Sequence, residues 1–412
     1  MSPLPAGGKT DAYSAWVVAA VGLAALAVAM GIGRFAFTPI LPMMQDDSGV
    51  SVSEGSWLAS ANYAGYLAGA LSAIVMRIQP TVAIRLALLI IGMSTLAMGI
   101  EHRFGAWLAL RAVAGIGSAW VLVFVSTWAL ERLAALGRPE MGGPVYAGVG
   151  AGIVAAGGAC LLLMAMGGSS ADAWVVLGIA SLAVTAAVWP FTRARPPSMP
   201  AETTAEARSA LPRAEFWRLV LCYGAFGFGY IIPATFLPVM ARAVVPDQHL
   251  FGWAWPVFGA AALVSTLLAA RMGQFMTHRG TWIAGNLAMA LGVVLPTVVQ
   301  GLSGIMIAAL FVGGTFMVIT MAGMQEARRV AGTQAGALMA AMTSAFAVGQ
   351  IIGPVSVSYL TGATSGFAPA LIIAAILLVL SACLLLRRKD KPSLGGRSLP
   401  VDQNNLAQRD TT

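Results

Sequence analysis

The sequence predicts an all-α membrane protein with twelve transmembrane helices in two pseudo-symmetric six-helix bundles. Three observations carry that expectation. Apolar residues fall in long blocks of spanning length, the second half of the chain echoes the first, and basic residues collect on one side of the implied layout. The chain of 412 residues is 58% hydrophobic and only 10% charged, whereas a soluble surface of that size needs far more charge. Each block approaches the roughly 20 residues that cross the hydrocarbon as a helix. Lipid offers backbone groups no water, so helices are the form that satisfies them.

The blocks are 15–44, 55–76, 81–100, 105–130, 145–167, 172–192, 217–241, 252–275, 280–300, 304–325, 334–358 and 366–386. The first runs through Arg34 and is too long for a cleavable signal, so it is expected to be retained. The second opens on Ser51-x-x-Glu54, a capping box. The fourth contains Arg111. In the fifth, Gly148, Gly150, Gly152, Gly157 and Gly158 read as small residues that let membrane helices approach closely. No strand precedes them, which removes the nucleotide-loop alternative. Gly353 and Pro354 in the eleventh block, like the glycines of the seventh, supply bending points.

Five segments follow: an N-terminal tail 1–14, a first bundle 15–192, a polar proline-rich linker 193–216, a second bundle 217–386 and a tail 387–412. The halves are related by a shift of 196 positions that takes Gly31 to Gly227, Gly33 to Gly229, Pro42 to Pro238, Met44 to Met240 and Trp57 to Trp253. Placing both termini in the cytoplasm puts 20 of the 24 Lys and Arg on the cytoplasmic side, the arrangement expected of an inner-membrane protein. That placement assigns the net charge of +8 to the membrane surface and argues against a nucleic-acid partner. Cys160, Cys222 and Cys383 fall in three different helices and read as free apolar thiols. No metal-ligand cluster, nucleophile–base pair or cofactor loop stands out, so neither a cofactor nor an enzymatic activity is expected.

Arg111-Ala-Val-Ala-Gly115-Ile-Gly117 in the fourth block resembles the Arg-x-x-x-Gly-x-Gly signature of the major facilitator superfamily. Gly31-Ile-Gly33-Arg34-Phe35 ending in Leu41-Pro42-Met43, with Val348-Gly349-Gln350-Ile-Ile-Gly353-Pro354, resembles its YbfB/YjiJ-type branch. The resemblance covers residues 15–386 and implies a secondary transporter working by alternating access. It also implies packing or coupling roles for Arg111, Gly115, Gly117, Gln350, Gly353 and Pro354. The superfamily's acidic latch between the second and third helices is missing, since Gly69 and Arg77 are present without the Asp.

A charge at the middle of a spanning helix costs about 2.5–3.5 kcal/mol even on insertion scales. Arg34 lies 12 residues before Asp46, roughly 18 Å inward, and Arg111 roughly 12 Å in from Arg103. Tyr230, Tyr66, Tyr63 and Asn62 have similar depths, which places all six within reach of one substrate pocket. Arg34 is expected to face a wet crevice between the bundles and to clamp an anionic group through its planar fork. The alternative is an Arg bonded to backbone carbonyls where Pro39 and Pro42 disturb the helix. The tyrosines are either pocket-lining donors or fillers of helix interfaces. Glu54, Glu131 and Glu326 sit at helix ends and no carboxylate lies deep, which disfavours a cationic substrate.

The expected function is therefore secondary transport of a small organic anion, with a coupling proton or exchanged anion as partner and a monomer sufficing. A proton-linked exporter of neutral or apolar compounds, or a non-transporting membrane receptor, are the alternatives.

Overall fold

The computed structural model describes residues 14–192, 211–245, 247–272, 276–363 and 366–386. The predicted tails 1–14 and 387–412 fall outside them except for Ser14, and so does most of the linker. The spanning helices are α1 (Ala15–Asp47, interrupted), α2 (Val52–Val75), α3 (Pro80–Met98), α4 (Phe104–Ala135), α5 (Gly142–Ala165) and α6 (Ser170–Val188). After the linker come α7 (Arg213–Val244), α8 (Ala254–Met272), α9 (His278–Val298), α10 (Leu302–Ala331), α11 (Ala335–Ala363) and α12 (Ala368–Leu386). Eleven meet the length and hydropathy of a membrane span, and α8 has a shorter apolar stretch, Ala254–Ala269. At 19 residues α8 is still about 28 Å long, close to the hydrocarbon thickness.

Several helices outrun their predicted ends. α4, α10 and α11 extend past 130, 325 and 358, and α7 begins at Arg213 rather than 217. Hydropathy marks where the hydrocarbon ends; the helix continues into the headgroup zone, where Arg132, Arg328 and Arg329 are tolerated. Ser51 opens α2 as expected, its Oγ accepting from the Glu54 amide at 3.1 Å while Glu54 accepts from the Ser51 amide at 2.9 Å.

Helix neighbours repeat with the chain. In the first half α1 packs on α5, α2 on α4, α3 on α4 and α3 on α6; in the second, α7 packs on α11, α8 on α10, α9 on α10 and α9 on α12. Adding six to each first-half label gives its second-half counterpart. The halves meet through α5–α8 and α2–α11, which the same operation interchanges, and through the Phe37–Asp47 part of α1 against α7.

Glycines permit these contacts. α5 carries two small-residue stripes: a Cβ at Gly148 or Gly152 would stand 2.2 or 2.3 Å from carbonyls of α1, and one at Gly150 2.4 Å from the backbone of α8. A Cβ at Gly115 would fall 2.0 Å from the Asn62 carbonyl oxygen, so the α2–α4 seam requires glycine there. Gly117 is less constrained, its nearest neighbour being an Ile91 side-chain atom at 3.0 Å. Gly353 meets Ile231 of α7, and α11 runs on as a helix through Pro354.

On the face where α1 begins, the second half holds a charge cluster. Glu215 of α7 pairs with Arg218 and Arg279, and Glu326 of α10 pairs with Arg279 at 3.1 Å and Arg329 at 2.7 Å. Glu326 lies near its helix end as expected but is fully buried, because α7 and α9 cover it. Arg77, in the loop lacking the acidic latch, is exposed.

Candidate functional site

The local sequence of α1 does not make one continuous α-helix. Residues Ala27–Ile32 widen into a π-helical turn, with Gly33 N–H donating to Val28 O at 2.8 Å and Phe35 N–H to Met30 O at 3.1 Å. The α-helix resumes at Phe37. Thr38 N–H bonds the Phe35 carbonyl instead of that of Arg34, four residues back. The break therefore precedes Pro39 and Pro42, which lie inside the resumed helix. Its equivalent in α7 is uninterrupted despite Pro233 and Pro238.

Side chains of α2 and α4 take up the freed carbonyls. Arg111 donates to Gly33 O at 3.3 Å and to Arg34 O at 3.0 Å. Asn62 donates to Gly33 O at 3.2 Å and to Arg111 O at 2.9 Å. Ser118 reaches Ala29 O at 2.8 Å. The Arg111 guanidinium also lies over Phe37 and Trp174, 4.9 and 5.8 Å from the ring centres. These bonds brace the broken helix from behind. Backbone capture, the alternative role for Arg34, is carried out by Arg111. Arg111 and Asn62, expected beside the tyrosines, bond to main chain behind the break here, and both amide protons of Asn62 are so held.

Arg34 itself points the other way, between the halves. Its guanidinium lies 4.2 Å from the ring centre of Tyr66 and 5.2 Å from those of Tyr63 and Phe35. Its Nη2 donates to the Tyr230 hydroxyl at 3.4 Å. Desolvated cation–π contacts of this kind contribute about 2 kcal/mol or more. Gln350 of α11 donates to the same Tyr230 oxygen. Tyr230 is stacked between Phe316 and Phe346, at 5.7 and 5.5 Å with interplanar angles of 3° and 10°. Tyr63 exchanges a hydrogen bond with Thr235 of α7 at 3.0 Å. The sequence-selected Arg34, Tyr63, Tyr66 and Tyr230 thus converge. The wet crevice expected around Arg34 is not present in this conformation: the residue is 2% exposed.

The closure has a visible cause. Pro238 has no N–H, which leaves the Ala234 carbonyl without its helical donor, and Thr38 donates to it at 2.8 Å. Farther out, Arg242 donates to Pro42 O at 2.8 Å and forms an ion pair with Asp46. Ser53 meets Ser358 at 2.6 Å, and Ser60 donates to Ile351 O at 3.1 Å. Among the described residues, these side-chain bonds between the halves lie at mid-span or toward the face opposite the termini.

Thr235, Phe316, Phe346 and Trp255 belong to the cluster and had no distinguishing mark in the sequence. An apolar ring in an apolar helix looks the same whether it faces lipid, a bundle core or its dyad. Gln350 carried a signal, as an amide in a spanning helix, but its expected role was conformational and its partner, Tyr230, was not foreseen. No group of three or more His, Cys, Asp or Glu is placed to hold a metal ion among the described residues.

Two look-alike bundles that close over a buried polar contact define a multi-pass membrane transporter. The chain belongs to the family described as “Uncharacterised MFS-type transporter YbfB”, whose model matches residues 26–386. It is similar to the “Uncharacterized MFS-type transporter YceJ” of Bacillus subtilis (strain 168), with 28% identity over 288 residues, 65% of this chain and 70% of that protein.

Proposed function

We propose that the protein moves a small organic anion across the inner membrane by alternating access, with Arg34 as the principal anion ligand. One observation carries the reading. Two guanidinium groups, Arg34 and Arg111, are each 2% exposed, and neither forms an ion pair among the described residues. Arginine keeps its charge when buried, and a buried charge is stabilised chiefly by an opposite one. The Arg34 Nε is also buried without an acceptor. An anion entering beside Arg34 supplies both the charge and the acceptor.

Arg111 supports this site electrostatically and by bracing the break that projects Arg34. Tyr230, bonded to Arg34 across the halves, couples ligand binding to closure. With the termini cytoplasmic, the bonded face is the outer one, so the conformation described is shut toward the outside. Substrate would reach Arg34 as the halves part.

The test uses purified protein screened for thermal stabilisation by acetate, benzoate and inorganic phosphate, then proteoliposome uptake of the stabilising anion. Arg34→Gln is expected to abolish uptake and Arg34→Lys to reduce it severely, because a point charge cannot reproduce the two-pronged contact. Wild-type rates in both variants would sink the proposal.

A further inference from the structure

The rings around Arg34 form two sets. In the second half they make a continuous column: Trp255 stacks on Phe258 at 4.7 Å and 15°, Phe258 on Phe316 at 5.5 Å and 26°, Phe316 on Tyr230, and Tyr230 on Phe346. From the first half, Phe35 leans on that column across the interface. Its contacts are longer and not parallel: 6.2 Å and 58° to Trp255, 6.3 Å and 77° to Phe316. Phe35 follows Arg34 in the chain and sits in the same interrupted turn of α1.

A joint with this geometry comes apart between Phe35 and the column when the halves separate. It then presents Trp255, the end ring of the column, and the part of Phe316 that Phe35 meets at 77°, with the Arg34 fork beside them. Two buried donors at this joint have no acceptor, Arg34 Nε and Trp255 Nε1. Flat apolar surfaces, a cation and donors without acceptors call for a planar ring carrying an acidic group. We infer that the transported anion is an aromatic carboxylate, whose ring replaces Phe35 against Trp255 and Phe316 while its carboxylate meets Arg34. The inference rests on the anion reading above and narrows it. Ring–ring contact, tilted or edge-to-face as Phe35 makes it, distinguishes it from simple apolar burial, since a saturated ring buries at least as much apolar surface but has no π system to offer.

The experiment measures binding of benzoate, cyclohexanecarboxylate, acetate and benzamide to the purified full-length chain. Benzoate is expected to bind about five- to tenfold more tightly than cyclohexanecarboxylate, with acetate weaker still and benzamide not binding. Phe316→Leu is expected to remove the benzoate preference while cyclohexanecarboxylate still binds. The wild-type comparison stands by itself if that variant does not fold. Equal affinity for the two ring carboxylates overturns the aromatic inference and leaves the anion reading intact. Benzamide binding as tightly as benzoate overturns the carboxylate assignment. Failure of every carboxylate to bind overturns both.

Discussion

Asp46 and Arg242 stand 196 positions apart in the chain and form an ion pair between the two halves. The same interval separates Arg34 from Tyr230 and Thr38 from Ala234, which are also bonded. That interval is the register in which Gly31-x-Gly33 and Pro42 of α1 repeat in α7. Equivalent residues of a duplicated unit touch only where the pseudo-twofold axis passes between them. The axis therefore follows α1 and α7 over 12 residues, roughly 18 Å, from the buried Arg34 to the partly exposed pair at the far face. A residue on such an axis meets its own counterpart, so a change in one copy alone creates a new contact. Arg34 against Tyr230 is that asymmetry at the centre.

Parting of the far face should be necessary for turnover. With Ser53 and Ser358 hydroxyls 2.6 Å apart, the double variant Ser53→Cys with Ser358→Cys is expected to form a disulfide under mild oxidation. The oxidised protein should not transport, and a reductant should restore uptake. Uptake that continues after complete cross-linking, scored by mass, would show that these ends need not part.

Arg111 should matter to the fold more than to ligand affinity. Hydrogen bonds from a charged donor contribute about 1.5–3 kcal/mol each, and Arg111 makes two to carbonyls freed by the α1 break. Arg111→Ala is expected to destabilise the protein by about 3 kcal/mol or more, read as a lower melting temperature and loss of a monodisperse peak. Arg111→Lys should recover only part, since one ammonium fits the paired carbonyls poorly. A normal melt for Arg111→Ala would remove the bracing role.

Thr38 and Pro238 should be coupled although they lie on different halves. Thr38→Val leaves the Ala234 carbonyl unbonded and is expected to cost about 1 kcal/mol. In a Pro238→Ala background the restored N–H bonds that carbonyl within α7, so the same Thr38→Val change should cost close to nothing. A double-mutant cycle of melting temperatures reads the difference. Additive effects would mean that the proline does not free the carbonyl for Thr38.

Glu326 is a buried carboxylate holding Arg279 and Arg329 at the face where the chain begins. Its loss leaves Arg279 with Glu215 as remaining partner and Arg329 partly in water, so the cost is that of the charge-assisted hydrogen bonds lost, about 1.5–3 kcal/mol. Glu326→Gln is expected to lower the melting temperature by several degrees. Replacing the partly exposed Asp46 with Asn should cost at most about 1 kcal/mol, the range of surface pairs. Equal melting shifts for the two variants would contradict the difference in burial.

Hydropathy and spacing were enough to place α1 to α12, the repeat between halves and the one charged residue in the middle of α1. These follow from local requirements: about 20 apolar residues per crossing, every backbone group bonded within its helix, and basic residues held to one side. The capping box at Ser51 and Glu54 was legible for the same reason. The roles of Arg111 and Asn62 were not. Depth along a helix says how far a side chain lies from water but not which carbonyls its neighbour has left free. Those carbonyls lie in the break between the widened turn Ala27–Ile32 and the helix that resumes at Phe37, and that of Gly33 is taken by donors 29 and 78 residues away. Nor did any local rule separate Phe316 and Trp255 from the other rings of spanning helices. The sequence by itself determined which segments cross the membrane and how the halves correspond. Only the packing of helices on one another, within the first half for Arg111 and between the halves for Arg34, decided which arginine is held by main chain and which is turned, among aromatic rings, toward the axis. Hydrogen-bond satisfaction and ring contact are properties of neighbours in space, and the chain order does not contain them.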